Sequence, residues 1–569
     1  MDDIAEVRVS ITSLRVIITA ALFLIIFDNA AFFSHVTEFY PISLKNIEFL
    51  ISLVLGIVGL ITAFLLLFCF RYTTKPIIIF ILMVSSLTSY FMNNYNVVID
   101  VSMIRNVLNT NTDEVFDLLN MKLVLYLLLL GVLPSLVVYK MHIHFQSPGR
   151  EIISRIVLLA AIPLCILPLV SISGDYYSSF FREHKSLRFY SNPGYYLYSI
   201  GRYVKQHLTS RNHVLTPLGL DAKISSSGLQ RKLVIFVVGE AARFDRFSLN
   251  GYQRETNPLL KKDGVISFTN FWSCGTSTAV SVPCMFSVYG HNRFTAKKAL
   301  STENVLDVLR HAGVNVLWLD NNSSSKGVAD RVTYINYRSP HVNRVCDGEC
   351  RDEGMLPGLQ DYINRHSNGD IFIVLHQMGN HGPDYYKRYP ARFRKFTPVC
   401  SSNLFEECSK NEINNAYDNA ILYTDYFLDR VIALLKQNRE HFETAMFYVS
   451  DHGESLGEYG VYLHGFPYFF APQAQVHIPA IMWLGDNFNN ANAAALAERR
   501  NKRYSHDNVF HTILGMMGIH TSIYKSNLDI IHETSPGGTP NRNSRQIAVA
   551  SAKHTRAPGK PEPGMKNEL

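Results

Sequence analysis

The feature that most constrains this chain is a run of apolar segments in its first third. Five stretches, about residues 14–33, 48–70, 75–98, 121–139 and 153–173, are each long and apolar enough to cross a bilayer as a helix, given the rule of about 20 residues per span. The rest reads as ordinary soluble protein, a contrast hidden by the overall 47% hydrophobic content. The chain therefore holds at least two domains. No small-residue cleavage site follows Leu14–Phe33, so that segment reads as a retained anchor and not as a removed leader.

Lysine and arginine in the short loops set an orientation. Arg8 and Arg15 precede the first span, Arg71 and Lys75 separate the second from the third, and Lys140 and Arg150 separate the fourth from the fifth. These loops are expected on the cytoplasmic side. The opposite loops carry Lys45, Arg105 and Lys122 with Asp113, Glu114 and Asp117. Five spans would then export everything after Gly174. Cysteine usage agrees: Cys69 and Cys165 fall in spans, and the other six form the close pairs Cys274/Cys284, Cys346/Cys350 and Cys400/Cys408. Close pairs in an exported domain favour disulfides over a zinc ribbon, whose histidine and cysteine pattern they lack; sequence alone does not fix the connectivity. The net charge of +7 is modest and forms no dense basic cluster, and no nucleic-acid partner is expected.

Four regions are expected: a five-helix transmembrane domain over 1–174, an interfacial helix and linker over 175–230, an exported catalytic domain over 231–533, and a disordered tail over 534–569 rich in Pro, Gly, Ser and Asn. The aromatic and basic mixture of Phe180–Lys185, Tyr190 and Pro193–Ile200 suits a helix lying at the membrane surface. From Lys232 onward, strand patterns at 233–238, Val314–Leu319, Ile371–Leu375, Ala445–Val449 and Ile478–Trp483 alternate with helical patterns at 302–312, 353–365, 412–437 and 506–517. That alternation predicts an α/β fold with a largely parallel sheet. Functional residues in such sheets gather beyond the carboxyl ends of the strands. Here those ends carry Glu240, Asp320-Asn321-Asn322, His376 to His381, and Asp451-His452.

Between the first and last of these lies Ser273 to Phe286, a turn of small residues holding Thr276, Ser277, Thr278 and Ser281 between two cysteines. Glu240, Asp451 and His452 can hold a divalent ion, with a hydroxyl from the turn as fourth ligand and nucleophile. Thr278 is the preferred nucleophile, with Thr276, Ser277 and Ser281 remaining open. His381 in Gly379-Asn380-His381-Gly382-Pro383 and His464 in Leu463-His464-Gly465 are candidates for a second metal or for the phosphate. His376 lies nearer its strand and fits a core role equally well. Asn322 and Lys326 offer donors to a phosphoryl oxygen, and Glu454 a carboxylate for a substrate ammonium or a local cap.

These motifs, with Ser248–Tyr252, Asp320–Gly327, Tyr417-Asp418-Asn419 and Ser450–Gly457, resemble those of the lipid A phosphoethanolamine transferases, the group that includes the mobile colistin-resistance enzymes, within the alkaline phosphatase/sulfatase superfamily. The resemblance runs from the spans to about residue 520. It implies one tightly bound Zn2+ on Glu240, Thr278, Asp451 and His452, possible use of a second at His381 and His464, and a phosphoethanolamine ester on Thr278. It further implies substrate contacts from Asn322, Lys326 and Glu454, and the three close cysteine pairs as disulfides. The implied donor is phosphatidylethanolamine and the implied acceptor lipid A in lipopolysaccharide, modified by a monomeric enzyme of the bacterial inner membrane whose catalytic domain faces the periplasm. The product carries less negative charge, which implies polymyxin resistance. Asn106 and Glu114, in the loop 93–117, are candidates to seat the headgroup. Ala241 departs from the Ser or Thr that many members carry after the motif glutamate, but no ligand is lost. The rival readings are phosphoethanolamine or phosphoglycerol transfer to another envelope acceptor, hydrolysis, and a non-enzymatic membrane scaffold.

Overall fold

The computed structural model describes residues 10–109, 115–116, 118–174, 176–177, 180, 187–210, 215–225 and 230–532. Glu114, most of Phe180–Lys185 and the tail from 534 lie outside the described residues. The N-terminal part is helical. Ile47–Phe68, Thr74–Tyr95, Met121–Lys140 and Pro148–Ile172 are each long and apolar enough to cross a membrane. The first expected span differs from a simple rod: Ser13–Asp28 and Ala30–Phe39 meet at 63° across Asn29. The Asn29 side chain explains the break, because its amide donates to Leu24 O (2.9 Å) and Asn192 O (2.6 Å) while its Oδ1 accepts from Asn192 N (2.9 Å). A polar cross-link of this kind satisfies backbone groups that a break in a helix would otherwise orphan.

Beyond the bundle, Val101–Asn109 forms a short helix and Gly194–Ser210 a longer one in the expected interfacial segment. An eight-stranded sheet follows. Its strands in chain order are β1 (Arg231–Gly239), β2 (Ile266–Trp272), β3 (Asn315–Asp320), β4 (Thr333–Asn336), β5 (Ile371–His376), β6 (Phe442–Ser450), β7 (His477–Leu484) and β8 (Tyr504–Ser505). Their spatial order is β8-β2-β7-β6-β1-β5-β3-β4. All pairs are parallel except those of β7, which runs against both β6 and β2. The largely parallel sheet is as expected, and all five predicted strands are present within it.

β1 shows why the apolar runs are continuous rather than alternating. Val234, Phe236 and Val238 feed one hydrophobic core, and Leu233, Ile235 and Val237 feed another on the opposite face. A strand covered on both faces has no solvent side to encode. The helices Val305–His311 and Lys410–Asn438 each begin with a reciprocal capping box, Asn304/Asp307 and Ser409/Glu412, which satisfies orphan N–H groups at their starts. The pattern predicted as helix over 353–365 is shorter, Leu359–Arg365, preceded by a tight turn at Asp352–Met355.

Register then builds the site. Gly239 pairs with Ser450 across β1 and β6, so Glu240 and Asp451 leave the sheet side by side. Asp320 pairs with His376 across β3 and β5. Cys274–Cys284, Cys346–Cys350 and Cys400–Cys408 are disulfides, and Cys69 and Cys165 are reduced.

Candidate active site

Four donor groups converge at the ends of β1 and β6. Thr278 opens the helix Thr278–Met285, and its Oγ1 donates to Glu240 Oε2 (3.0 Å) and lies 3.3 Å from His452 Nε2. His452 Nε2 is also 3.3 Å from Glu240 Oε1 and 3.3 Å from Asp451 Oδ2. Glu240, Asp451 and His452 are fully buried. Their tautomer and orientation are fixed from behind. His452 Nδ1 lies 2.8 Å from Gly453 O, so it carries the proton and leaves Nε2 as the donor atom facing the cluster. Asp451 Oδ1 accepts from the N–H groups of Ala241 (3.1 Å) and His452 (2.7 Å). Gly379, at φ +52, passes so close that a Cβ there would lie 2.8 Å from Glu240 O; only glycine combines that backbone angle with that approach.

The donor set fits a divalent cation. Glu240 Oε1 and Asp451 Oδ2 are buried and accept no hydrogen bond from the described residues, and with His452 they form a group whose ligand atoms all lie within 4.8 Å of one another. Two carboxylates facing one imidazole leave an excess of buried negative charge. Its electrostatic signature is plain. Burial opposes the His452 imidazolium, but Asp451 and Glu240 outweigh it and raise its pKa to about 10. Burial and then the Glu240 charge push Asp451 up to about 7. A bound cation supplies that missing positive charge and leaves Nε2 free to ligate. Oxygen and imidazole donors in this ratio suit zinc.

Of the four hydroxyls in the turn, Thr278 is the one held against these ligands. Thr276 donates to Phe466 O (2.7 Å), and the buried Ser277 and Ser281 hydroxyls have no hydrogen-bond partner among the described residues. The remaining predicted residues fall into two groups. Lys326, His381, His464 and Asn106 line a cavity above Thr278 together with Ser323, Met103 and other apolar residues of the bundle. Lys326, itself at φ 50, donates to Ser323 Oγ (2.5 Å). Burial pushes His381 down to about 3. Its ring stands 5.2 Å from that of His464, which in turn stands 4.4 Å from that of His452.

Asn322, Glu454 and His376 are placed as supports. Both hydrogen bonds donated by Asn322 Nδ2 are internal, to Glu240 Oε2 (2.8 Å) and Gln377 O (2.8 Å). Glu454 is fully buried, accepting from Tyr385 Oη (2.8 Å) and pairing with His464 Nδ1 (2.8 Å). It orients His464 with Nε2 away from the carboxylate. His376 pairs with Asp320 at 3.1 Å beside Trp318. Glu114 lies outside the described residues.

Two supports carried no sequence signal of their own. Asp352 accepts from Asn321 Nδ2 (2.8 Å), Gln377 Nε2 (3.2 Å), Met378 N (2.8 Å) and Gly379 N (3.2 Å), fixing the loop after β5. His506 accepts from Cys274 N (3.0 Å) and lies 3.0 Å from Ser450 O, tying the turn that carries Thr278 to β6.

The Sulfatase family model matches residues 232–519, and the model of phosphoethanolamine transferase EptA/EptB matches residues 57–208. The chain is 43% identical over 492 residues to phosphatidylethanolamine transferase Mcr-1 of Escherichia coli, covering 84% of this chain and 90% of that one. The integral membrane lipooligosaccharide phosphoethanolamine transferase A of Neisseria meningitidis superposes with a TM-score of 0.88 at 35% identity, covering 92% of this chain and 99% of that one. The C-terminal periplasmic domain of phosphoethanolamine transferase EptC from Campylobacter jejuni gives 0.51 at 42% identity, over 56% of this chain and 97% of that one.

Proposed function

The chain belongs to the phosphoethanolamine transferase family, and from that premise we propose that it moves phosphoethanolamine from phosphatidylethanolamine to a phosphate of lipid A, through an ester on Thr278. The observation that carries this reading is that the Thr278 hydroxyl alone in its turn touches the buried ligand cluster and also lines a cavity walled by bundle residues. A nucleophile so placed suits a donor whose headgroup enters the site while its acyl chains stay in the membrane.

In the first half-reaction Thr278 Oγ1 attacks the donor phosphorus, the bond to the glycerol oxygen breaks, and diacylglycerol leaves with the hydroxyl proton. In the second, a lipid A phosphate oxygen attacks the same phosphorus, the Thr278 ester breaks, and a proton from the incoming phosphate or from water returns to the threonine oxygen, restoring the hydroxyl. Glu240 Oε2 holds the Thr278 oxygen in place and Asn322 holds Glu240. A zinc ion held by Glu240, Asp451, His452 and Thr278 would lower the pKa of the hydroxyl and offset charge on the phosphoryl oxygens. His381, His464 and Lys326 face the cavity and present imidazole and ammonium groups to the phosphoryl group, with a second zinc at the histidines as the alternative use. Anchoring of donor, acceptor and enzyme in one bilayer narrows the search for both substrates. The catalytic domain lies in the periplasm of a Gram-negative cell in this reading, supported by the loop charges, the three disulfides and the relatives' location. The added ammonium lowers the net negative charge at the modified phosphate, which would weaken polymyxin binding.

Mass spectrometry of lipid A from a Gram-negative host expressing the wild type or Thr278→Ala tests the reading. Phosphoethanolamine added by the wild type alone is the expected result. Unmodified lipid A beside folded, membrane-inserted wild type would move the acceptor to core sugars, glucans, proteins or water.

A further inference from the structure

The segment from Gly453 to Pro472 carries Glu454 and His464 and meets the helical bundle repeatedly. A Cβ on Gly460 would lie 4.0 Å from the amide of Asn96, the residue after the Thr74–Tyr95 span. A Cβ on Gly465 would lie 3.0 Å from Met103. Phe470 packs edge-on to Phe189, with ring centroids 5.6 Å apart, against a cluster that includes Tyr40, Phe49 and Met92. These contacts place the segment at the outer ends of the spans, on the side of the catalytic domain.

At two of these contact points the neighbouring residue is a large aromatic that stays exposed, Phe469 meeting the chain only edge-on through the ring of Phe470 at 5.0 Å among the described residues. Tyr459, next to Gly460, is 93% exposed, and Phe469, next to Phe470, is 88% exposed. A lone exposed aromatic is ordinary on a soluble surface. Here there are two on one segment, and Tyr459 is held at φ 54, a left-handed conformation that a bulky residue rarely adopts. The same end of the bundle exposes Ile42 and Leu44, in the turn between Tyr40 and Phe49 of that cluster, and Leu108 of the Val101–Asn109 helix. Exposed apolar side chains therefore stand on both sides of the place where the bundle and the catalytic domain meet. Aromatic rings are enriched where a bilayer meets water, because their faces are apolar and their edges tolerate headgroups.

We propose that Tyr459 and Phe469 are bilayer anchors: they enter the headgroup and upper acyl region of the membrane that the helices span, and so seat the His464-bearing segment on that surface. The occupant is phospholipid of the outer-facing leaflet, named by continuity with the spanning surface. Removing aromatic side chains of this size from water is favourable and biases the orientation of a domain already tethered. The inference depends on membrane embedding and goes beyond the identity of the acceptor.

The test uses the full chain in phospholipid nanodiscs. Phe469→Trp and Tyr459→Trp are made singly, and the signal of the three native tryptophans is subtracted using the wild type. The expected result is blue-shifted emission, quenching by phospholipid brominated high on its acyl chains, and protection from iodide. Emission open to iodide and insensitive to brominated lipid would overturn the proposal. As a second variant, Tyr459→Ser combined with Phe469→Ser is assayed on bilayer-embedded phosphatidylethanolamine and on a monomeric short-chain analogue. The expected result is a severalfold rise in KM for the embedded donor with the short-chain rate unchanged. Equal loss on both donors, or no loss on either, would overturn it. The quenching readout does not require turnover, so failure of the transfer reaction and failure of the anchors are distinguishable.

Discussion

Asn322→Ala separates two uses of one side chain. Asn322 is 2% exposed and its amide bridges Glu240 Oε2 and Gln377 O, both at 2.8 Å. A hydrogen bond to a charged group contributes about 1.5–3 kcal/mol. Loss of a group that orients a metal ligand typically weakens metal binding about 10–100-fold, which converts to about 1.4–2.7 kcal/mol. The two estimates agree, so the zinc Kd of Asn322→Ala is expected to rise about 10–100-fold. Competition with a chelator, on the full-length protein in detergent or nanodiscs, measures it. Activity should return largely at saturating zinc, because Thr278, Asp451 and His452 are untouched. Zinc affinity within about twofold of wild type, beside a large fall in kcat that zinc does not rescue, would refute this reasoning. It would return Asn322 to the role of a phosphoryl donor.

Further outcomes follow from the supports of the site. Glu454→Gln can keep both hydrogen bonds and is expected to stay within about 10-fold of wild-type kcat/KM, whereas Glu454→Leu falls about 100-fold or more; equal losses with raised KM in both would mark Glu454 as an ammonium contact. Burial pushes His506 down to about 3, so between about 6.5 and 3 the unfolded chain binds a proton that the folded chain refuses. Stability of the catalytic domain should thus fall as pH drops through that window, by up to about 1.4 kcal/mol per pH unit from this group; thermal melting of His506→Gln at pH 7 and pH 5 should show a shallower pH dependence, and an unchanged one would contradict the assignment. Replacing Cys274 and Cys284 by serine removes a cross-link spanning 10 residues, with an expected loss of about 2–3 kcal/mol, seen as a lower melting temperature; unchanged melting would show that the turn is held by other contacts.

Much of this architecture is legible in the chain because its strongest signals are one-dimensional. Val234 to Val238 is apolar on both strand faces because both are covered, and Glu240 follows where the strand ends at Gly239. β2 carries no such run: its Ser267, Thr269 and Asn270 are polar, and its place beside the reversed β7 is set by pairing that local pattern does not encode. The break at Asn29 depends on Asn192, 163 residues away. A hydropathy window sees one apolar run there. Among site residues, the proposed ligands Glu240, Asp451 and His452 stand at strand ends and are visible from position alone. Whether a polar side chain faces the cavity or braces a ligand is not. Asn322 and Lys326 share one loop, yet the first points its amide at Glu240 and the second lines the cavity. Asp352 looks like any surface acid until the folded loop after β5 brings three donors to it and Asn321, after β3, a fourth.

The central claim, a covalent phosphoethanolamine on Thr278, is tested most directly by incubating the full-length protein with phosphatidylethanolamine and no acceptor, then mapping its peptides by mass spectrometry. The account predicts phosphoethanolamine on the peptide containing Thr278, absent from Thr278→Ala and discharged when lipid A is added. Turnover with the group on another residue, or with no protein-bound group under rapid quenching, would contradict it.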